Sequence, residues 1–253
     1  MTGTIESALS SLIRWLRIAG LAGLFLTLAP VHILTKFLIG RSPWPPRFLA
    51  AATRIAGVRP RLEGSPLEPH SFVIANHTSW LDILILGGFA GAAFVSKAEV
   101  QRTALVGWLA DQNRTIYIER TERGDAHRQI EQIAEGLEHP QPLAVFPEGT
   151  TGDGRQLLPF RSTLLHAVAP PPPGAIVRPV AIDYGDKADV VGWHSGEPGM
   201  ANVMRVLGHR GTIEVTLRLL RPLPVMNDRK ALAGEARAAI AAALSSVRRP
   251  TGL

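Results

Sequence analysis

Ser71-Phe72-Val73-Ile74-Ala75-Asn76-His77-Thr78-Ser79-Trp80-Leu81-Asp82 is the stretch on which the fold turns. Its first five residues are a short apolar run with β-branched and aromatic members, which predicts a buried strand over residues 71–75. A polar turn follows, and Ser79 is expected to cap a helix that opens with Trp80 and Leu81. Strand, polar turn and helix in that order mark the start of an α/β unit. The same alternation continues downstream. Further strands are expected over residues 92–96, 115–118, 143–146, 176–182 and 212–219. Helices are expected over residues 125–138, where Ala126, Ile130, Ile133 and Leu137 share one face, and over 229–247, where Leu232, Ala236, Ile240 and Leu244 recur. Together these predict an α/β domain with a mixed, mostly parallel sheet flanked by helices.

Upstream, residues 18–34 are almost wholly apolar, preceded by Arg14 and Arg17 and interrupted by Pro30. Their length is slightly below the ~20 residues that span a bilayer comfortably. A pair of membrane-embedded or interfacial helices is expected, broken near Pro30, with Ser42-Pro43-Trp44-Pro45-Pro46 as a stiff linker. Residues 1–46 are therefore assigned to a membrane-associating helical segment and residues 47–253 to the α/β domain.

The 253 residues carry a net charge of +6, and 46% of them are hydrophobic. Between residues 203 and 253, nine basic residues face three acidic ones, so this segment accounts for the excess. An anionic partner is expected. Two tyrosines and eight phenylalanines supply few stacking platforms for nucleic acid, and an anionic membrane surface fits the charge better. The chain has no cysteine, which excludes a disulfide framework, a thiolate metal site and a cysteine nucleophile.

Polar groups gather where strands are expected to end, the place where open α/β sheets collect ligands. Residues five apart do not share a face of a regular helix. His77 and Asp82 can meet only if His77 lies in the turn and Asp82 in the first helical turn. Asp82 would then hold one ring nitrogen and leave the other as an acceptor, which describes a general base with an orienting carboxylate. A second strand delivers Glu119-Arg120. A third runs into the glycine-rich Glu148-Gly149-Thr150-Thr151-Gly152-Asp153-Gly154, with Arg155 and Arg161 close behind.

The order His77-x4-Asp82, Ile116-Tyr117-Ile118-Glu119-Arg120, Phe146-Pro147-Glu148-Gly149-Thr150 and Val177-Arg178-Pro179-Val180 resembles the four sequence blocks of the glycerolipid acyltransferase family. Phe94-Val95-Ser96-Lys97-Ala98-Glu99 and Gly107-Trp108 are similar to what that family places between its first two blocks. The resemblance implies His77 as base, with Asp82 as its partner. It also implies acceptor binding through Arg120, Glu148, Gly149 and Thr150, to which Lys97, Arg155 and Arg161 are added as candidate binding residues. Acyl-CoA or acyl carrier protein would be the donor. No other cofactor and no metal is implied, and neither a Gly-x-Ser-x-Gly elbow nor a His-Glu-x-x-His pattern occurs.

The acceptor implied first is 1-acylglycerol 3-phosphate, giving phosphatidic acid at the cytoplasmic face of a bacterial inner membrane. The sequence departs from the family pattern, however. Arg114 replaces a usual glycine, and Thr151-Gly152 replaces the Arg-Ser that often follows Glu-Gly-Thr, leaving Arg114, Arg155 or Arg161 to compensate. The run 148–154, Leu158-Pro159-Phe160-Arg161-Ser162 and Val191-Gly192-Trp193-His194 resemble a bacterial branch that includes lyso-ornithine lipid acyltransferases. Lyso-ornithine lipid, or another lysophospholipid, is the alternative acceptor. A non-catalytic membrane lipid-binding protein is the alternative of another class; the presence of His77, Asp82 and Glu148 speaks against it.

Overall fold

The structure is a computed structural model that describes residues 2–118, 126–194 and 196–245. In chain order its helices are α1 (Thr2–Ile39), α2 (Trp44–Ile55), α3 (Leu81–Phe89), α4 (Ala98–Gln101), α5 (Ala104–Gln112), α6 (Ala126–Glu138), α7 (Ala188–Val191), α8 (Gly199–Leu207) and α9 (Arg229–Ser245). The strands are β1 (Val58–Glu63), β2 (Ser71–Ala75), β3 (Ala93–Lys97), β4 (Ile116–Ile118), β5 (Leu143–Val145), β6 (Ile176–Asp183) and β7 (Ile213–Leu219).

The strands form one sheet in the order β1-β7-β6-β2-β5-β3-β4. From β6 to β4 all pairings are parallel; β7 runs antiparallel to β6, and β1 is parallel to β7. The mixed, mostly parallel sheet expected from the sequence is present. All five residues of β2 are buried, as a strand covered on both faces requires. Alternation splits them: Val73 and Ala75 pack with Leu81, Ile85, Val206 and Leu207, from α3 and α8. Phe72 and Ile74 pack with Ile133 and Leu137 of α6 and with Leu232, Ala236 and Ile240 of α9. Helices thus cover both sides of the sheet.

Strand β1 was not foreseen. Its sequence Val58-Arg59-Pro60-Arg61-Leu62-Glu63 has no apolar run, and Pro60 removes a ladder donor. As an edge strand it pairs on one side only, which is where a sheet tolerates proline.

The N-terminal region also corrects an expectation. Helix α1 continues through Pro30. It ends instead at Gly40, whose φ of 75° gives the left-handed conformation of a helix C-cap. Trp44-Pro45-Pro46, expected as linker, forms the first turn of α2, where proline's missing N–H has no helical partner to lose. Helix α1 is held along its length. Arg14 donates to the Met204 carbonyl at 2.9 Å, and Arg17 donates to the carbonyls of Leu207, His209 and Gly211. Phe25 meets Phe48 and Trp108 edge-on. His32 bonds Ser42 and Gln112 at 2.7 and 2.9 Å. The opposite side of α1 is exposed and apolar, with Leu12, Trp15, Leu16, Leu26, Ile33, Leu34, Phe37 and Leu38. The helix is long and apolar enough to cross a membrane.

Candidate active site

Parallel pairing in register aligns the strand ends. Ala75 pairs with Val180 and Ile74 with Val145, so β2, β5 and β6 deliver Asn76-His77, Phe146-Pro147-Glu148 and Asp183-Tyr184 to one edge of the sheet. A cavity of about 180 Å³ opens there. Asn76, His77, Glu148, Arg155, Asp183 and Tyr184 are among its walls, and Ala241, Leu244 and Ser245 of α9 cover it.

His77 and Asp82 do meet. Nδ1 of His77 lies 2.8 Å from Oδ2 of Asp82, which is fully buried. That oxygen also accepts the backbone N–H groups of Thr78 at 2.7 Å and Ser79 at 2.9 Å. The expected cap is thereby corrected. Ser79 Oγ is 3.4 Å from the Leu81 nitrogen, and the Asp82 carboxylate, the stronger acceptor, organises the turn in its place. The Tyr184 hydroxyl donates to Oδ1 of Asp82 at 2.6 Å. Burial and the adjacent carboxylate push the Tyr184 phenol well above its ordinary value, so it remains a donor. With Nδ1 engaged by Asp82, Nε2 is the ring nitrogen left to accept a proton. The side chain is 18% exposed and stacks on Phe146, with centroids 4.1 Å apart.

Backbone contacts fix the turn around His77. Asn76 donates to the Ile182 carbonyl at 3.0 Å and accepts the Ile182 N–H at 2.8 Å, which locks the end of β2 to β6. Glu148 accepts the His77 N–H on Oε1 at 2.6 Å and the Leu158 N–H on Oε2 at 2.9 Å. Both oxygens thus act as a strut between loops. Burial raises the Glu148 carboxyl to about 7, against the lowering effect of those two N–H groups. In the glycine-rich loop, Gly152 donates to the His77 carbonyl at 2.9 Å and accepts from the Trp193 N–H at 3.0 Å. Gly154 has φ of 77°, and a Cβ there would sit 2.9 Å from the Ala188 Cβ and 3.0 Å from Thr78 Cγ2.

Of the candidate binding residues, Glu148 and Arg155 reach the cavity. Arg155 is bound to Asp189, Nε to Oδ1 at 2.9 Å. Gly149 and Thr150 occupy the turn beside Glu148 and are not among the cavity walls. Lys97, at the exposed end of β3, and Arg161, exposed beyond the loop, lie away from the walls as well. Arg120 lies outside the described residues. Tyr184, Asn76, Phe146 and Asp183 had not been singled out as site residues. The usable signal for Asp183 and Tyr184 was their position at the carboxyl end of a predicted strand next to β2.

Comparisons with known proteins bear on the family and the fold. A family model described as Acyltransferase matches residues 59–183, which hold β2 to β6 and all of β1 but Val58. A lyso-ornithine lipid O-acyltransferase of Pseudomonas aeruginosa is 35% identical over 254 residues, covering 95% of each chain. A 1-acyl-sn-glycerol-3-phosphate acyltransferase of Neisseria gonorrhoeae is 32% identical over 143 residues, covering 55% of this chain and 54% of that one. The crystal structure of a 1-acyl-sn-glycerophosphate acyltransferase from Thermotoga maritima superposes with a TM-score of 0.73 at 19% identity, over 98% of this chain and 100% of that one, and shares its fold. With 35% identity to a named O-acyltransferase over 95% of both chains, and with a family model matched across the stretch that carries His77, Asp82 and Glu148, the chain belongs to the acyltransferase family.

Proposed function

We propose that the protein transfers a fatty acyl group from acyl-CoA or acyl carrier protein to the hydroxyl of a lysolipid, and that this lysolipid is lyso-ornithine lipid. The observation that carries the chemistry is His77 Nδ1 held by a fully buried Asp82, with the ring lining a cavity. In the proposed step, Nε2 of His77 removes the acceptor hydroxyl's proton as the oxygen attacks the thioester carbonyl. The tetrahedral intermediate then expels the thiolate, which recovers the proton from the imidazolium. The donor is already activated, so no covalent acyl-enzyme is required.

The charge of the cavity supports the choice of acceptor over 1-acylglycerol 3-phosphate, the one the resemblance implied first. Among the described residues, Arg155 is the one lysine or arginine in its walls, and it is already bound to Asp189. Arg114 and Arg161, the other arginines expected to compensate for the departure at Thr151-Gly152, are not in the walls. Glu148 and Asp183 are. A phosphomonoester brings about 1.5 to 2 negative charges at neutral pH, and among the described residues the walls offer it one arginine, already held by Asp189, beside the Glu148 carboxyl and an Asp183 paired with Arg218. Ornithine joined through one amine keeps one ammonium and one carboxylate, with no net charge. The similarity over 95% of the P. aeruginosa enzyme supports the same choice.

The exposed apolar side of α1 and the lipid nature of acceptor and product support association with a membrane surface, and the proposed donors, acyl-CoA or acyl carrier protein, suit the cytoplasmic face of a bacterial inner membrane. Residues 1–46 would contribute that association and residues 47–253 the transfer. The test is to supply acyl-CoA or acyl carrier protein together with lyso-ornithine lipid or 1-acylglycerol 3-phosphate, identifying products by mass. We expect kcat/KM to favour lyso-ornithine lipid by at least about tenfold. Equal or reversed preference overturns the acceptor and leaves acyl transfer standing, whereas no ester from any pairing overturns both.

A further inference from the structure

We propose that Tyr184 is a positioning residue of the acyl transfer, fixing through Asp82 the orientation and basicity of His77. The proposal rests on His77 being the base. A carboxylate as deeply buried as Asp82 needs its lone pairs answered by donors. Oδ2 takes three, from His77, Thr78 and Ser79, all within five positions along the chain. Those donors and the carboxylate belong to one turn and can tilt together. Oδ1 is held instead by Tyr184, which comes from 102 positions away at the end of β6.

The two residues before Tyr184 are anchored as well. Ile182 is paired with Asn76 through both backbone groups, and the Asp183 carboxylate lies 3.2 Å from an Arg218 nitrogen of β7. The tyrosine ring therefore stands on a rigid strand end, and its O–H···O contact ties the catalytic turn to the sheet.

The electrostatic consequence has a definite sign. A phenol donating to Oδ1 stabilises the ionised carboxylate. Without that donor, Asp82 becomes more basic and attracts the proton on Nδ1 more strongly, so the imidazole also binds a second proton more readily. Whichever of the two groups takes the extra proton, the form with a neutral acceptor at Nε2 appears at higher pH. The charged groups around this pair are Glu148 after β5, Asp183 at the end of β6 with its partner Arg218 on β7, and Arg155 in the glycine-rich loop. Helix α9 contributes Ala241, Leu244 and Ser245, none of which titrates. Burial raises the Glu148 carboxyl to about 7, so a pH shift alone does not identify Asp82 as the route. A double-mutant cycle does.

In Tyr184→Phe, kcat is expected to fall about tenfold with both KM values within about twofold of wild type, and the acid limb of kcat/KM to rise by about one pH unit. Introduced into Asp82→Asn, the same change is expected to remove no further activity. Because Tyr184→Phe leaves a buried oxygen unanswered and can impair folding, 3-fluorotyrosine at position 184 supplies a second arm. It keeps the ring's shape and is a stronger donor, so the acid limb should move below the wild-type position. Wild-type kcat and limb in Tyr184→Phe, a loss that repeats in full in Asp82→Asn, or an unmoved limb with 3-fluorotyrosine overturns the proposal. Should His77→Ala retain turnover, the assignment of the base fails first. Should His77→Ala be inactive while the Tyr184 outcomes are null, only the role of Tyr184 fails.

Discussion

Replacing Glu148 by Gln should stabilise the protein at alkaline pH while weakening it as an enzyme. The wild-type carboxyl is raised to about 7 in the fold from an ordinary 4.5. The folded state thus holds this proton more tightly than the unfolded chain does. Its stabilising contribution is complete below pH 4.5 and is lost as the pH rises through 7. The gap between the two values corresponds to about 3 kcal/mol, of which about 2 to 3 kcal/mol is lost between pH 5 and pH 8.

Glutamine has the same shape and does not titrate. At pH 5 the wild type is neutral here in the fold and keeps most of that contribution, while the variant leaves one N–H unanswered, so the two should unfold within about 1 kcal/mol of each other. At pH 8 the variant should be the more stable by about 2 to 3 kcal/mol. Activity should move the other way. An ionised Glu148 accepts the N–H groups of both His77 and Leu158, whereas the single amide oxygen serves one of them and leaves an N–H facing another donor. With its backbone anchor weakened, His77 should lose about tenfold to a hundredfold in kcat. Urea unfolding of detergent-solubilised protein, followed by the fluorescence of its five tryptophans, reads the stabilities. Parallel pH slopes in the two proteins, or a variant less stable at pH 8, would refute the reasoning.

Three further outcomes follow from the same geometry. Asn76→Ala strands the N–H and C=O of Ile182 and should cost about 2 to 4 kcal/mol in urea unfolding, with a comparable midpoint shift at pH 5 and pH 8. Gly154→Ala forces a side chain into a left-handed position beside Ala188 and Thr78, and should lower kcat at least about tenfold while leaving far-UV circular dichroism unchanged. Leu34→Glu combined with Phe37→Glu, on the exposed side of α1, should weaken cosedimentation with anionic vesicles by at least about tenfold without altering the unfolding midpoint.

The parts of the fold that were legible in the sequence are those where local pattern and tertiary burial agree. Strand β2 is a continuous apolar run because both faces are covered, and its expected bounds coincide with the observed ones. Helix α6 was readable from its single apolar face; residue 125, its expected first position, lies outside the described residues. Strand β1 was not readable, because pairing with β7 alone holds Arg59-Pro60-Arg61 in place. Helix α1 was misread at Pro30, since packing against α2, α5 and α8 sustains a helix through a residue that local rules treat as a break.

The candidate site divides in the same way. His77, Asp82 and Glu148 follow strands and stand in compact motifs, so position and chemistry point to them together. Tyr184 touches Asp82 from 102 residues away, and Arg155 is occupied by Asp189 from 34 residues on. Neither pairing leaves a trace in local sequence, and each changes what the neighbouring motif residue can do.

The central claim is that His77 takes the proton of a lysolipid hydroxyl. A single-turnover assay with excess His77→Ala or wild-type protein over labelled acyl donor and saturating lyso-ornithine lipid tests it directly. The account predicts that the rate of ester formation falls by at least about a thousandfold in the variant while its thermal unfolding and vesicle binding match wild type; ester formation within about tenfold of the wild-type rate would contradict it.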